Sequence, residues 1–388
     1  MKKILIIIPL ILTLLTGCYN YEELNNLAIV SAISISLNKN NQYEVIVQVV
    51  NPKKEQDSSS SNEPDFITFE STGSTLHESF RKLTQKSLKR IYGNQMQIVI
   101  IDESIAKNNL KDILDFLIRE PEIRNEVYIL IGKDKDILKI LTPLNNISSQ
   151  NIKESIENDT KRLGCSKIIT LSDLIKDYKN PNIELTIPSI KISGNSNDGK
   201  EEKNLEQSQT DTSIELDGIA VFKDNKLKGY LTDDESLTYN FITNKIKNTL
   251  IKLNYNNNNE YIITETISSK TKLIPNIKNN TITINIKGTS AITELNKKID
   301  IEKKENINKL EKKLNNKIEK FITINYQRIN DKYNSDIYGF KDLYYKTNNK
   351  YYKRMNNKEN ILKNIKIKIK VNIEIIEQGN LLGGIDNE

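Results

Sequence analysis

The sequence predicts an α+β fold of three mixed α/β domains, each an antiparallel or mixed sheet with helices packed on it. Three observations carry this expectation. Ile365, Ile367, Ile369, Val371, Ile373 and Ile375 recur with period two, the alternation of a half-buried strand. Ile307, Leu310, Leu314, Ile318 and Phe321 recur at helical spacing, the apolar stripe of an amphipathic helix. Polar stretches at 52–64, 194–212 and 255–259 break the chain into segments. At about 150 residues per domain, 388 residues fit two or three domains. A composition 37% hydrophobic and 28% charged excludes a polytopic membrane protein and a wholly disordered chain.

Taken in order, Ile29 to Leu37 and Tyr43 to Val50 read as a hairpin across Asn38-Lys39-Asn40-Asn41. Pro52 to Pro64 is a polar loop. Leu76, Phe80, Leu83, Leu88 and Ile91 then lie along one helical face after Ser74. A strand follows at Met96 to Ile101. Next come a helix carrying Leu110, Ile113, Leu114 and Leu117, ended near Glu120-Pro121, and a strand at Val127 to Ile131. The segment from Asp136 to Tyr178 is mostly helical, and Glu184 to Ile192 reads as a strand whose Pro188 points to an edge position. Gly194 to Thr212 is the best loop or linker candidate. Ile214 to Phe222 and Leu227 to Leu231 form a second hairpin. Thr232-Asp233-Asp234-Glu235 matches a capping box, starting a helix expected to run to about Ile251. The last unit has strands at Tyr261 to Ile267 and Thr281 to Ile292, the long helix, and the closing strand, arranged as an antiparallel sheet backed by one or two helices. The resulting domains are 18–135, 136–252 and 253–388, after a leader over 1–17.

That leader begins Met1-Lys2-Lys3 and continues with an apolar stretch from Ile4 to Leu15. Twelve residues are too few for a hydrocarbon core that needs about 20, so the pattern describes an export signal. Leu15-Thr16-Gly17-Cys18 directly after it resembles the lipobox of bacterial lipoprotein precursors. The resemblance implies cleavage before Cys18, lipidation of its thiol, and a mature chain held on a membrane surface. Cys165 is then left with no partner for an intramolecular disulfide.

Catalytic material is scarce. The chain has one His, two Cys and no Trp, too few for a Cys/His zinc cluster. His77 is a candidate acid or base and Cys165 a candidate nucleophile, but each reads more simply as a surface or packing residue. Phosphate-loop, dinucleotide and nucleophile-elbow motifs are absent. No catalytic, cofactor or metal residues are therefore expected. Charge is more informative: residues 297–370 hold 21 basic and 9 acidic side chains, while the remainder holds 36 and 42. The basic stretch suits anionic lipid headgroups or is simply a solvated lysine-rich helix face; export argues against nucleic acid.

Several segments together resemble the Ger(x)C family, the lipoprotein C subunits of spore nutrient germinant receptors. They are Cys18; Glu22 to Val30; the hairpin Leu216-Asp217-Gly218 through Leu231 with its acidic helix start; Tyr333-Asn334-Ser335-Asp336-Ile337-Tyr338-Gly339-Phe340; and the close at Gln378-Gly379. The resemblance covers essentially the whole chain. Its departure is the absence of Trp, with Tyr344, Tyr345, Tyr351 and Tyr352 in a region where the family often has it. The resemblance implies a non-enzymatic, three-domain protein on the outer face of the spore inner membrane, working with integral-membrane A and B subunits. Tyr333, Asp336, Tyr338, Gly339, Phe340, Tyr344 and Tyr351 are the candidate interface, with packing inside the last domain as the alternative. A solute-binding lipoprotein of an envelope transporter is the competing function, and an envelope hydrolase a weaker one.

Overall fold

The computed structural model describes residues 23, 26–51, 65–108, 110–141, 147–201, 203–206, 210–255, 260–296, 299–301, 303–354 and 365–377. Cys18, the loop at 52–64, the Asn run at 256–259 and Gln378-Gly379 lie outside them. The fold is α+β, as expected, and is built on two sheets. The larger contains β1 (Leu27–Leu37), β2 (Tyr43–Val50), β3 (Phe66–Gly73), β4 (Arg90–Tyr92), β5 (Ile98–Asp102), β6 (Tyr128–Gly132), β7 (Thr186–Ser193), β8 (Ser213–Lys223) and β9 (Lys226–Leu231). Its order is β3-β2-β1-β5-β6-β7-β8-β9, with β4 also pairing β1. The β1–β5, β5–β6 and β6–β7 pairs are parallel. Because β6 and β7 are neighbours, the sheet is continuous across the expected 135/136 boundary.

Helices cover both faces of this sheet. On one side α1 (Leu76–Lys82) and α3 (Lys111–Arg119) bury Leu76, Phe80, Ile113, Leu114 and Leu117 against Ile33, Val47, Val99 and Ile129. The short α2 (Glu103–Ala106) follows β5 directly. On the other side α4 (Ser148–Arg162) buries Ile152 and Ile156 against Ala32, Ile98, Ile100 and Leu130. Since both faces are buried, β5 and β6 read as continuous apolar runs rather than alternating ones. The helix α5 (Leu171–Lys179) starts at a capping box formed by Thr170 and Asp173.

The smaller sheet has order β10-β11-β12-β13, from β10 (Leu250–Tyr255), β11 (Glu260–Asn276), β12 (Thr281–Asn296) and β13 (Lys366–Glu377). Ile282, Ile284, Ile286, Ile373 and Ile375 lie on its inner face. They pack with Leu310, Leu314 and Ile318 of the long helix Lys304–Tyr333.

Several expectations are corrected. The helix after Ser74 is capped by Thr75 and stops at Lys82, followed by a single 3-10 turn. Leu88 is fully exposed and Ile91 belongs to β4, so neither continues its stripe. Phe66–Gly73 is a strand that the pattern of mixed polar residues concealed. Pro188 is not at an edge: β7 lies between β6 and β8, and the register shifts between Pro188 and Ile190, a bulge that accommodates the missing donor. The 194–212 segment is not a bare linker. It holds α6 (Lys203–Glu206), and the buried Asn204 donates to the carbonyls of Leu141 and Thr212, both at 3.0 Å. The next helix, α7 (Asp233–Ile242), begins at the expected Thr232/Glu235 box but ends well before Ile251, which is in β10. Finally, β13 pairs with β12 in parallel. The long helix, α8 (Lys304–Tyr333), is the crossover between them, and a crossover joins parallel strands.

Candidate functional site at the junction of the two sheets

The Tyr333–Phe340 segment lies where the two sheets meet. Asn334 closes α8 in the left-handed conformation, with φ 43°, and α9 (Phe340–Thr347) and α10 (Asn349–Arg354) follow. Between them, the Asp336 carboxylate accepts from the backbone N–H of Phe340 at 2.9 Å and of Lys341 at 2.7 Å. Asp336 thus caps α9 from inside the protein. Burial pushes its pKa up to about 6, and the two backbone N–H groups only partly offset that. Gly339 at φ 71° supplies the reversal that lets the carboxylate reach those donors.

Around this turn the rings converge. Tyr338 stacks on Phe340 at 5.3 Å between centroids and lies 5.6 Å from Tyr326 and 6.0 Å from Tyr239. The hydroxyl of Tyr239 shares a buried network with Thr186 (2.9 Å) and the Lys167 ammonium (3.3 Å). Polar contacts tie the segment to the larger sheet. The backbone N–H of Glu184 donates to the carbonyl of Asp336 at 3.1 Å, Tyr333 donates to the carbonyl of Tyr230 at 2.6 Å, and Ser335 donates to that of Phe222 at 2.5 Å. Asn180 donates to Asp342 at 3.1 Å, and Tyr352 to Asn182 at 2.7 Å. A Cβ at Gly229 would lie 3.0 Å from the Tyr333 ring, so the absence of a side chain there permits this approach.

Tyr333, Asp336, Tyr338, Phe340 and Tyr344 are all buried within the chain. They pack within the same molecule, and their contacts with Glu184, Phe222, Tyr230 and Tyr239 reach beyond the expected last domain, 253–388, to the larger sheet and the segments beside it. The side chain of Tyr351 lies outside those described, although its backbone is in α10. The junction partners, Glu184, Phe222, Tyr230 and Tyr239, are about 100 residues or more from the turn and carry no local sequence signal. The Asn180-Pro181-Asn182 triplet, a turn sequence with two polar side chains, was the one available pointer.

The candidate catalytic residues are not brought together. His77 is exposed on α1, at the rim of a cleft of about 730 Å³ with Phe80 and Phe116 in its wall. Arg90 and Arg119 at that cleft are matched by Glu122 at 2.7 Å and Asp115 at 2.9 Å. Cys165 does not line it. Burial, reinforced by the Asp159, Asp233 and Asp234 carboxylates, pushes the Cys165 thiol up to about 12, opposite to the shift that makes a nucleophilic thiolate.

Comparison with known proteins gives the family. Residues 20–192 match the family described as "Spore germination protein N-terminal domain", and residues 217–379 match "Spore germination B3/ GerAC like, C-terminal". The chain belongs to the Ger(x)C family of spore germination proteins. It is 27% identical to spore germination protein KC of Bacillus subtilis, over 89% of this chain and 88% of that one. Identity to B. subtilis spore germination protein B3 is 23%, over 72% and 71% of the two chains. For the Bacillus cereus spore germination protein GerQC it is 24%, over 71% and 73%. The crystal structure of the GerBC protein matches with a TM-score of 0.56 at 18% identity, covering 89% of this chain and 96% of that one, a likeness of fold. Both family segments contribute to the junction, the first through Asn180 and Glu184 and the second through Tyr230 and Asp336.

Proposed function

We propose that this chain is a lipid-anchored, non-enzymatic subunit of a spore nutrient germinant receptor, held on the outer face of the spore inner membrane through Cys18. Its role is to assemble with the integral-membrane A and B subunits and couple their signal. The observation that carries this reading is the succession of both spore germination family segments after a leader ending in Leu15-Thr16-Gly17-Cys18. The high Cys165 pKa and the separation of His77 from it support a role without turnover. The Tyr333–Phe340 turn then acts on partners indirectly, by fixing how the two sheets are held relative to each other. Cys18→Ala is expected to abolish acyl labelling of the chain in sporulating cells and to lower its recovery with spore membranes. Wild-type chain pulled down from such membranes is expected to bring two multi-spanning proteins with it. Labelling that persists in the variant overturns the anchor, and recovery of an ATPase with two permeases favours a transporter-linked lipoprotein instead.

A further inference from the structure

The outer face of the smaller sheet, turned away from α8, is a lysine array. The inner face takes Ile282, Ile284 and Ile286 of β12 and Ile373 and Ile375 of β13, so strand alternation sends their neighbours outward. Register sets Lys270 opposite Lys287; Lys272 in line with Asn285 and Lys370; Ile274 with Thr283 and Lys368; and Asn276 with Thr281 and Lys366. All six lysines are exposed. These rows contain no Asp or Glu; the first acid outward on β13 is Glu374, opposite Thr289. Four rows on three strands make a surface about 20 Å long and about 10 Å wide.

This arrangement works against the sheet that carries it. Like charges directly opposite each other on neighbouring strands destabilise the pair, and Lys270 faces Lys287 across β11 and β12. Protection of an edge strand accounts for lysines on β13. It extends to Lys270 and Lys272, since β10 pairs only with residues 260–265 of β11, but it does not account for Lys287 on β12, which is paired on both sides, to Lys270 and to Asn372. A local rule broken without local gain marks a functional surface.

We propose that this face lies against an anionic phospholipid bilayer. The cationic groups are spread over a flat sheet face rather than converging on a point, which suits a two-dimensional array of phosphates. Ile274, 44% exposed among them, adds an apolar contact. The tether is the one proposed at Cys18, and the basic face beside it adds affinity for anionic lipid and sets the orientation. This orientation leaves the larger sheet to the aqueous side.

The test uses the processed chain, Cys18–Glu388, with Cys18→Ser so that no acyl group is present. Partitioning is measured on vesicles of phosphatidylcholine alone and of phosphatidylcholine with phosphatidylglycerol in a two-to-one ratio. The chain is expected to bind the mixed vesicles preferentially and to release as salt rises. A lysine at such a surface contributes about fivefold in partitioning, so the triple variant Lys272→Ala/Lys287→Ala/Lys370→Ala is expected to lose about a hundredfold. The triple variant Lys309→Ala/Lys312→Ala/Lys320→Ala, on the exposed side of α8, is expected to lose far less. Equal losses in the two variants, no preference for the mixed vesicles, or tighter binding to double-stranded DNA than to them overturns the proposal. Because the protein in this assay is unacylated, its outcome is independent of whether Cys18 is lipidated, which acyl labelling reads separately.

Discussion

Asp336 is the residue at which burial and hydrogen bonding compete most directly. Its carboxylate is 1% exposed and capped by two backbone donors, yet burial dominates and its pKa rises to about 6. The Lys341 ammonium lowers it and the Glu184 carboxylate raises it, both less than burial does. A raised acid pKa favours the protonated folded state. The associated stability is fully present below about pH 4 and is lost as pH rises through about 6. Two pKa units at about 1.4 kcal/mol each amount to about 3 kcal/mol. The stability of wild type minus that of Asp336→Asn, from urea unfolding, is therefore expected to fall by about 3 kcal/mol between pH 4 and pH 7. A difference that is flat across this range refutes the assignment. At Cys165, a pKa near 12 rather than the usual 9 leaves about a thousandth of the ordinary thiolate fraction at neutral pH. Iodoacetamide is expected to modify it roughly that much more slowly than a free thiol; reaction at the ordinary rate contradicts the burial argument.

At the scale of elements, the best expectations were those with a local cause. The turn at Asp224 and Asn225 has φ of 52° and 61°, the conformation a two-residue hairpin demands and these residue types accept. In the Thr232 capping box, the Thr232 N–H donates to Glu235 at 3.0 Å and the Thr232 hydroxyl oxygen accepts from the Glu235 N–H at 3.4 Å. Thr232→Ala is expected to cost about 1 kcal/mol in urea unfolding, with Thr232→Ser restoring most of it; no loss in the alanine variant sinks the capping role. What the sequence hid was decided at a distance. Ile251 left the helix pattern because Ile251 and Leu253 alternate into the second core as part of β10. Pro188 occupies an interior strand because a bulge absorbs it. The parallel pairing of β13 depends on α8 crossing the sheet, which periodicity alone does not reveal. Likewise, the Tyr-rich turn looked partner-facing by composition, whereas its rings pack on one another, on Tyr326, and on Tyr239 and Tyr230 about 100 positions away.

Over the whole molecule, one strand serves two cores. Ala220 and Phe222 of β8 point into the core under α1 and α3, while Ile219 and Val221 point into the core around α8. Alternation along a single strand therefore makes the last element pair of the larger sheet a wall of the smaller one, and Leu231 of β9 joins it there. Each core loses a side if the other melts. The chain is thus expected to open as one cooperative unit, with no independently stable C-terminal part. Ile284 is fully buried on β12, far along the sequence from the larger sheet, and replacing it by alanine costs about 2–5 kcal/mol. In hydrogen exchange read by mass spectrometry, Ile284→Ala is expected to accelerate the globally protected amides of β5 and β6 by the same factor as those of β12. If β12 exchanges faster while Ile98–Asp102 and Tyr128–Gly132 keep their wild-type protection, the two sheets open separately and the shared strand does not couple them.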